Sequence, residues 1–262
     1  MNRVSILMYH ALWGSEAELQ TIAPEDRPYA ISLSEFGTQL QALRENGIAV
    51  LDPKCLERGA PERGGVILTF DDGHASNAVH ALPALQELNM PAAFFVTTGF
   101  VGTKAGFCTW AQVRSLADAG MTVGGHGHTH RFLSDLDPAA QRNELVGSHT
   151  LLERELGRPV RQMSFPGGRC DAASRKAAIE VGFSILYGSQ VGMLAATGAA
   201  LVPAALPRIA VRSGMAHPTF VAYARGSMPR MVRARAASHL KDIAKRLMGN
   251  ERYHQLYTRL KG

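Results

Sequence analysis

Residues 66–73, Val-Ile-Leu-Thr-Phe-Asp-Asp-Gly, decide the fold class. Residues 66–70 form a short apolar run of the kind that is buried in parallel sheets, and two carboxylates and a glycine follow at once. In parallel α/β proteins, binding and catalytic side chains gather at the carboxyl ends of the strands. The stretch therefore predicts a buried strand that delivers Asp71 and Asp72 to such an end.

Apolar, β-rich runs alternate with helical patterns on both sides of this stretch. Strands are predicted at 4–9, 66–70, 92–96, 121–123, 162–165, 183–187 and 206–211. Helices are predicted from a cap at Ser34, over 82–88 with Pro83 near its start, from Thr109 to Gly120, from Asp137 to Gly157 and from Asp171 to Gly182. Repeated β-then-α order implies a parallel sheet covered by helices. About seven strands favour a distorted (β/α) barrel over an open sheet, although periodicity does not decide between them.

The composition is that of a folded globular protein, with 262 residues of which 46% are hydrophobic. No apolar run approaches the length of a membrane span, and residues 1–12 predict a first strand rather than a signal peptide. The three cysteines, Cys55, Cys108 and Cys170, are widely spaced, which argues against a disulfide framework or a cysteine zinc cluster. This cysteine usage predicts a cytoplasmic location.

The positive charge is concentrated in one segment. The whole chain carries +6, but residues 225–262 alone carry +8, so the rest is at −2. Apolar residues recur at helical spacing over 240–260, which predicts a basic amphipathic helical tail at 225–262 beside a main domain at 1–224. The tail either packs on the barrel or makes a peripheral contact with anionic lipid at the inner membrane face. It has no recognisable nucleic-acid module, and no nucleic-acid partner is expected.

Adjacent carboxylates at a strand end repel each other unless a cation or a proton intervenes. One of Asp71 and Asp72 could bind a metal while the other takes a proton from water. The alternative is a helix cap followed by an exposed Asp-Gly turn.

A second cluster, His126, His128 and His130, follows the predicted strand 121–123 and two glycines. Two imidazoles and one carboxylate suit a divalent metal such as zinc and leave positions open for water and substrate. An extended segment would instead place 126 with 128, or 128 with 130, on one face. Solvated or loop-bonded histidines are the alternative to a metal site.

A third segment, 165–169, follows another predicted strand. Its glycines would let the backbone approach a ligand, and Arg169 could orient a carboxylate through two hydrogen bonds. An ordinary strand-to-helix turn explains this segment equally simply.

Taken together, these residues resemble the NodB-homology polysaccharide deacetylases, carbohydrate esterase family four, from about Ser5 to Val211. Thr69-Phe70-Asp71-Asp72-Gly73 is similar to the first motif of that family, and His126 and His130 followed by Leu133 resemble its second. The other matching segments are Leu7-Met8-Tyr9-His10, Pro91 to Val96, Trp110, Phe165-Pro166-Gly167 and Leu206-Pro207-Arg208.

The resemblance implies a distorted barrel with about seven strands and a site at its carboxyl end. It implies a divalent metal, most often zinc, on Asp72, His126 and His130, and Asp71 as general base. A backbone N–H near Ala75 or Gly73 would stabilise the oxyanion. Substrate contacts are expected at Tyr9, His10, Gly73, Trp110 and Pro166.

The chain departs from the family pattern in three places. Gly127 stands where a hydroxyl residue usually follows the first histidine. Ser164 stands where an arginine usually tunes the base, so Arg169, or else Arg208, is expected to substitute. The motif that supplies the general acid is missing, and His217, then His128, are the candidates.

These observations predict a metal-dependent hydrolase that removes N-acetyl groups from amino sugars of a polysaccharide or glycan precursor. A deformylase or deacylase of a small or lipid-linked amino sugar is the second reading. A non-catalytic carbohydrate-binding relic of the fold is the third.

Overall fold

A computed structural model describes residues 3–201 and 204–227. The predicted tail lies outside the described residues from position 228 onward. The strands are β1 (Arg3–Tyr9), β2 (Leu12–Trp13), β3 (Ile31–Ser32), β4 (Gly65–Phe70), β5 (Ala92–Val96), β6 (Thr122–Gly125), β7 (Gln162–Ser164), β8 (Ile185–Tyr187), β9 (Leu194–Ala195) and β10 (Ile209–Ala210). The helices are α1 (Glu16–Thr21), α2 (Leu33–Glu45), α3 (Leu82–Glu87), α4 (Trp110–Asp118), α5 (Pro138–Leu156), α6 (Ala172–Val181) and α7 (His217–Ala224).

Seven parallel strands form a curled sheet in the order β10-β1-β4-β5-β6-β7-β8, and β9 pairs antiparallel with β1. The sheet almost returns to its first edge, because Leu206, just before β10, forms a parallel bridge with Tyr187 of β8. The N–H of Leu206 donates to the carbonyl of Leu186 at 2.7 Å. The predicted α/β fold with about seven parallel strands is confirmed as a curled, barrel-like sheet.

The central strands are apolar throughout because both of their faces are buried. All six residues of β4 are buried. Leu68 and Phe70 of β4 pack among the helices, whereas Ile67 packs inside the curl with Phe95 and Tyr187. This alternation follows the period of two along a strand and explains why the run lacks a polar face.

Side-chain caps define most of the helices. Thr109, Asp137 and Asp171 cap α4, α5 and α6 as predicted, and Gly157 ends α5 in the left-handed region at φ 62°. The prediction at Ser34 is wrong by two residues, because the hydroxyl of Ser32 accepts the N–H of Glu35.

Two other boundaries also differ from the sequence prediction. A π-helical turn, Asn77–Ala81, runs directly into α3, so Pro83 is not where the helical stretch begins. β6 runs on through Gly124 and Gly125. A Cβ at position 124 would collide with the carbonyl of Gln162, so glycine is needed there. The glycines thus belong to the strand and carry it up to the first histidine.

The segment 14–30, between β2 and β3, forms a wall beside the carboxyl ends of the sheet, and the sequence patterns did not predict it. Its helix α1 is tied to the body by the imidazole of His80, which lies 2.9 Å from a carboxylate oxygen of Glu18. Its other end is tied by Arg212, which donates to the Tyr29 hydroxyl at 2.9 Å. Among the described residues, none of the helices has the length and apolar character needed to cross a bilayer.

Candidate active site

A cavity of about 320 Å³ opens at the carboxyl ends of β1, β4 and β6. It contains both carboxylates of the first motif and two of the three histidines of the second. Its lining also includes Met8, His10, Ala11, Thr21, Ile22, Ala23, Asp26, Tyr29, His74, Lys104, Ala105, Gly106, Phe107, Gly167, Gly168 and Ser189. The site therefore lies where the parallel sheet predicts it.

Asp72, His126 and His130 converge on one point of this cavity. Oδ1 of Asp72 lies 3.2 Å from Nε2 of His126 and 3.1 Å from Nε2 of His130. One ligand atom from each residue lies within 4.8 Å of the other two. Two imidazole nitrogens and one carboxylate oxygen form a donor set that suits zinc and similar divalent ions. The residues therefore fit the divalent metal that the resemblance implies.

Two of these three residues have backbones in the left-handed region, at φ 74° for Asp72 and φ 64° for His130. Asp and His are among the residues that tolerate this region best, but it still costs free energy there. The turn at Asp72 is tight because its carbonyl accepts the N–H of Thr97 at 3.2 Å and Gly73 packs against Val96. The surrounding contacts thus hold the ligand side chains in place at the expense of local strain.

The second ring nitrogen of His126 is fixed by the protein. Nδ1 lies 2.8 Å from the carbonyl oxygen of Ser164, so it carries the proton and donates it there. Nε2 faces Asp72 at the convergence point and would give its lone pair to an ion bound there, which is the usual arrangement of metal-binding histidines. Burial raises the pKa of Asp72, but hydrogen bonds from His126 and His130 outweigh burial and hold that pKa well below its ordinary value.

Asp71 lines the same cavity as Asp72, His126 and His130, but its carboxylate pairs with a buried arginine. Nη1 of Arg208 donates to Oδ1 of Asp71 and Nη2 to Oδ2, both at 2.7 Å, and the Ser164 hydroxyl donates to Oδ2 at 3.0 Å. The guanidinium is fully buried inside the curled sheet, where it also donates to the Thr69 hydroxyl and to the carbonyl of Gly188. A bidentate pair of this kind fixes both the position and the charge of the carboxylate.

Burial raises the pKa of Asp71, but the positive charges of Arg208 and His126 outweigh it, so the pKa lies below its ordinary value. Asp71 therefore remains ionised at neutral pH even though it is buried beside a second carboxylate. Among the described residues, its Oδ1 accepts one hydrogen bond, which leaves a lone pair available for a further proton.

The structure places several predicted residues outside this arrangement. Arg169 lies at the surface, where it donates to Asp135 at 3.3 Å and covers the ring of Phe132, so Arg208 and not Arg169 holds Asp71. His128 points away from the convergence point, because its Nδ1 lies 2.9 Å from the hydroxyl of Thr98. The alternatives that used His128 as a ligand are therefore wrong for this structure.

His217 and Tyr9 are also outside the cavity. His217 is an exposed residue at the start of α7, which packs on α2 and β1. Tyr9 is fully buried among the helices, where its hydroxyl donates to Oε1 of Gln39 at 2.8 Å, because side chains alternate along β1 and this one faces outward. These positions contradict the expected roles of His217 as an acid and Tyr9 as a substrate contact.

Of the remaining expected substrate contacts, three lie at or beside the cavity and one lies outside it. His10 lines the cavity, and its buried Nδ1 has no hydrogen-bond partner among the described residues. Gly73 and Pro166 are buried beside the cavity, and Trp110 begins α4 outside it. The N–H of Ala75 donates to the carbonyl of Gly106 at 2.8 Å, so it is not free to serve an oxyanion.

The sequence patterns missed the cavity wall made by Thr21, Asp26 and Tyr29 of the segment 14–30, and also missed Lys104 and His74. None of these residues belongs to a strand end with a recognisable motif. Burial raises the pKa of Asp26, and the negative charge of Asp72 raises it further. The adjacency of His74 to the Asp71-Asp72-Gly73 stretch was the one signal that could have identified it.

Comparisons with known proteins agree on one family. A family model described as polysaccharide deacetylase matches residues 58–186. The putative polysaccharide deacetylase YxkH of Bacillus subtilis (strain 168) is 28% identical over 229 residues, which cover 84% of this chain and 76% of that protein. The poly-β-1,6-N-acetyl-D-glucosamine N-deacetylase of Escherichia coli (strain K12) is 31% identical over 115 residues, which cover 36% of this chain and 17% of that enzyme.

Solved structures share the fold over most of the chain. The deacetylase PplD of Streptococcus pyogenes, in complex with acetate, superposes with a TM-score of 0.73 at 24% identity, covering 85% of this chain and 98% of that one. IcaB from Ammonifex degensii superposes with a TM-score of 0.71 at 27% identity, covering 86% of this chain and 98% of that one.

Proposed function

Since this chain belongs to the polysaccharide deacetylase family, we propose that it hydrolyses the N-acetyl groups of amino sugars in a polysaccharide or glycan precursor, with a divalent metal as cofactor. One observation carries the proposal. A three-residue donor set and a separately held, ionised carboxylate face the same cavity. Amide hydrolysis needs both an electrophilic centre and a base, and this cavity offers a place for each.

Asp72, His126 and His130 would hold the metal, and zinc is the ion that their donor atoms suit best. A divalent ion bound there would supply Lewis-acid polarisation of the amide carbonyl and of the attacking water. The chain's own contribution is to fix the donor atoms. His126 is oriented by the carbonyl of Ser164, and Asp72 is held in the turn directly after β4, where its carbonyl accepts the N–H of Thr97.

Asp71 acts as the general base. Arg208 keeps the carboxylate ionised and fixes its plane, so that Asp71 can accept a proton from water as the water attacks the amide carbon. Ser164 supports the same carboxylate oxygen as Nη2 of Arg208. Asp71 and Asp72 are adjacent in the chain yet have different partners, which separates proton transfer from metal binding.

The leaving amine must gain a proton when the carbon–nitrogen bond breaks. His10 lines the cavity at the end of β1, and we propose it as this donor. Its ring packs against Tyr29 at a centroid distance of 5.0 Å, which restricts its rotation. An imidazole is suited to this step because its ring N–H can be transferred to a leaving nitrogen.

The name of the E. coli relative supports a polymer of N-acetylglucosamine as the substrate class. Because the match includes 17% of that enzyme, the proposal takes from it the class of substrate alone.

Acetate release from N-acetylglucosamine oligomers tests the proposal. The protein is stripped of metal with a chelator, and acetate is measured before and after zinc is restored. We expect zinc-dependent release that Asp71→Asn abolishes while the metal content stays unchanged. Asp118→Asn is the matched control, since Asp118 is an exposed residue paired with Arg158. Full activity of Asp71→Asn would refute the role of base. No release of acetate, together with release of formate or of a longer acid from N-formylated or N-acylated amino sugars, would favour the deformylase or deacylase reading.

A further inference from the structure

Glu144 of α5 reaches into the loop that carries the two histidine ligands. Its Oε2 accepts the backbone N–H groups of His128 and Thr129, both at 2.8 Å, and its Oε1 accepts the Thr129 hydroxyl at 2.5 Å. Glu144 is 7% exposed. Three donors from two consecutive loop residues therefore converge on one buried carboxyl group.

The same loop is held on its other side by the segment after β5. The N–H of Thr98 donates to the carbonyl of Gly127 at 3.3 Å, and the N–H of Gly99 donates to the carbonyl of His128 at 2.8 Å. The loop backbone between the ligands is thus gripped through its N–H groups by Glu144 and through its carbonyls by Thr98 and Gly99. Buried backbone groups need such partners, and here the partners also dictate the path of the loop.

Gly127 makes this arrangement possible. It lies at φ 73°, and a Cβ at this position would be 3.3 Å from Oε2 of Glu144 and 3.4 Å from Cγ of Pro166. A hydroxyl residue here would therefore be strained and would crowd the carboxyl group. Thr129, two residues later, donates its hydroxyl to Glu144.

We propose that Glu144 is the positioning residue of the metal centre, which holds the loop 126–130 so that the two imidazoles meet Asp72 before any ion binds. The inference rests on the proposed function in one respect, namely that these three residues bind a metal. Glu144 does not line the cavity and acts only through the loop. Groups that orient the ligands of a metal commonly change metal affinity by about 10- to 100-fold when they are removed.

Two substitutions of Glu144 distinguish its hydrogen bonds to the loop from its contribution to packing. Glu144→Gln keeps an oxygen for the two N–H groups and an amide that can donate to the Thr129 hydroxyl, so it should preserve the loop. Glu144→Met keeps a similar volume and helix propensity but accepts no hydrogen bond. Glu155→Met, on the same helix and paired at the surface with Arg114, is the matched control.

The probe is cobalt(II), added alone to the metal-free protein, with affinity and the visible absorption bands as readouts. We expect Glu144→Met to lose about tenfold or more in affinity and to change the band shape, since the bands report ligand geometry. Glu144→Gln and Glu155→Met should stay within about twofold of the wild type. Urea unfolding of the metal-free proteins is measured alongside, and the loss of affinity should exceed what the unfolded fraction explains.

Wild-type affinity and an unchanged spectrum for Glu144→Met would overturn the inference. If that variant does not fold, Thr129→Val decides in its place: an affinity loss of about fivefold supports the inference, and an unchanged affinity and spectrum overturn it. The proposed function fails separately, when the wild type binds cobalt but releases no acetate with any metal. A wild type that binds no divalent ion refutes the metal and this inference together.

Discussion

Replacing Arg208 by methionine should both destabilise the protein and take the counter-charge from Asp71, the proposed base. The side chain of Arg208 makes five hydrogen bonds within the described residues, two of them to Asp71 at 2.7 Å, and the pair is nearly inaccessible to solvent. Removing one partner of such a pair leaves an uncompensated buried charge, which costs about 3–5 kcal/mol. For a protein of this size the loss corresponds to a fall in melting temperature of about 6–20 °C.

The loss should depend on pH in a defined direction. In the wild type the pKa of Asp71 is lowered, so the stabilisation is present above about pH 4, the ordinary pKa, and disappears as the pH falls. Without Arg208, burial raises the pKa of Asp71, so the variant loses stability as the pH rises through that raised value. The difference between the two proteins should therefore be larger at pH 8 than at pH 5.

Urea unfolding of the metal-free proteins, followed by circular dichroism at both pH values, measures this difference. Arg114→Met is the control, because Arg114 forms an exposed pair with Glu155 whose loss should cost less than about 1 kcal/mol. Adding Asp71→Asn to Arg208→Met should recover part of the lost stability, since no charge is then left unpaired. A loss below about 1 kcal/mol at pH 8, or normal acetate release by Arg208→Met, would refute the view that this arginine keeps Asp71 ionised.

Three further outcomes are expected. Asp72→Ala and His130→Ala should each lose the bound metal, which elemental analysis of the purified proteins checks; full occupancy in either would remove that residue from the ligand set. Burial raises the pKa of the Cys108 thiol to about 12, so a disulfide reagent at pH 8 should modify Cys108 only after unfolding, and fast reaction in the folded protein would contradict its burial. The full chain should sediment with anionic vesicles more than residues 1–224 do, because each basic residue near the surface adds about 1 kcal/mol, and equal binding would refute lipid contact by the tail.

Motifs at strand ends were the part of the site that the sequence could predict. The residues around Asp71 and Asp72 lie next to each other in the chain, and His126 and His130 are four positions apart. Each motif can therefore be recognised within a short stretch of sequence. Helix caps such as Asp137 were predicted for the same reason, since a cap and its helix are adjacent in the chain.

The arginine of the site illustrates what a local pattern cannot decide. Arg169 ends the segment 165–169, and Arg208 follows Pro207 in another matching segment. Either arginine could therefore have been the partner of Asp71 on sequence grounds. Only the closure of the sheet, through the bridge between Tyr187 and Leu206, brings Arg208 under Asp71. Arg169 is directed outward because the turn at Gly167 and Gly168 leaves it beside Phe132.

The wall made by the segment 14–30 was missed for a related reason. Its α-helix, α1, has six residues and no buried side chain, so it has no amphipathic pattern to detect. Its position depends on distant partners, namely His80 for Glu18 and Arg212 for Tyr29. Tertiary contacts of this kind become visible only when the whole chain is folded.

The distance along the chain between Asp71 and Arg208 limits how the protein can be shortened. The two residues are 137 positions apart, and the arginine lies beyond the region that the family model matches. A fragment ending near residue 186 would retain both carboxylates and all three histidines of the second motif, yet it would lack the guanidinium. Such a fragment would keep its recognisable motifs and every residue of the proposed metal site, but Asp71, the proposed base, would lack the guanidinium that pairs with it. A minimal enzyme built from this chain therefore has to extend through β10.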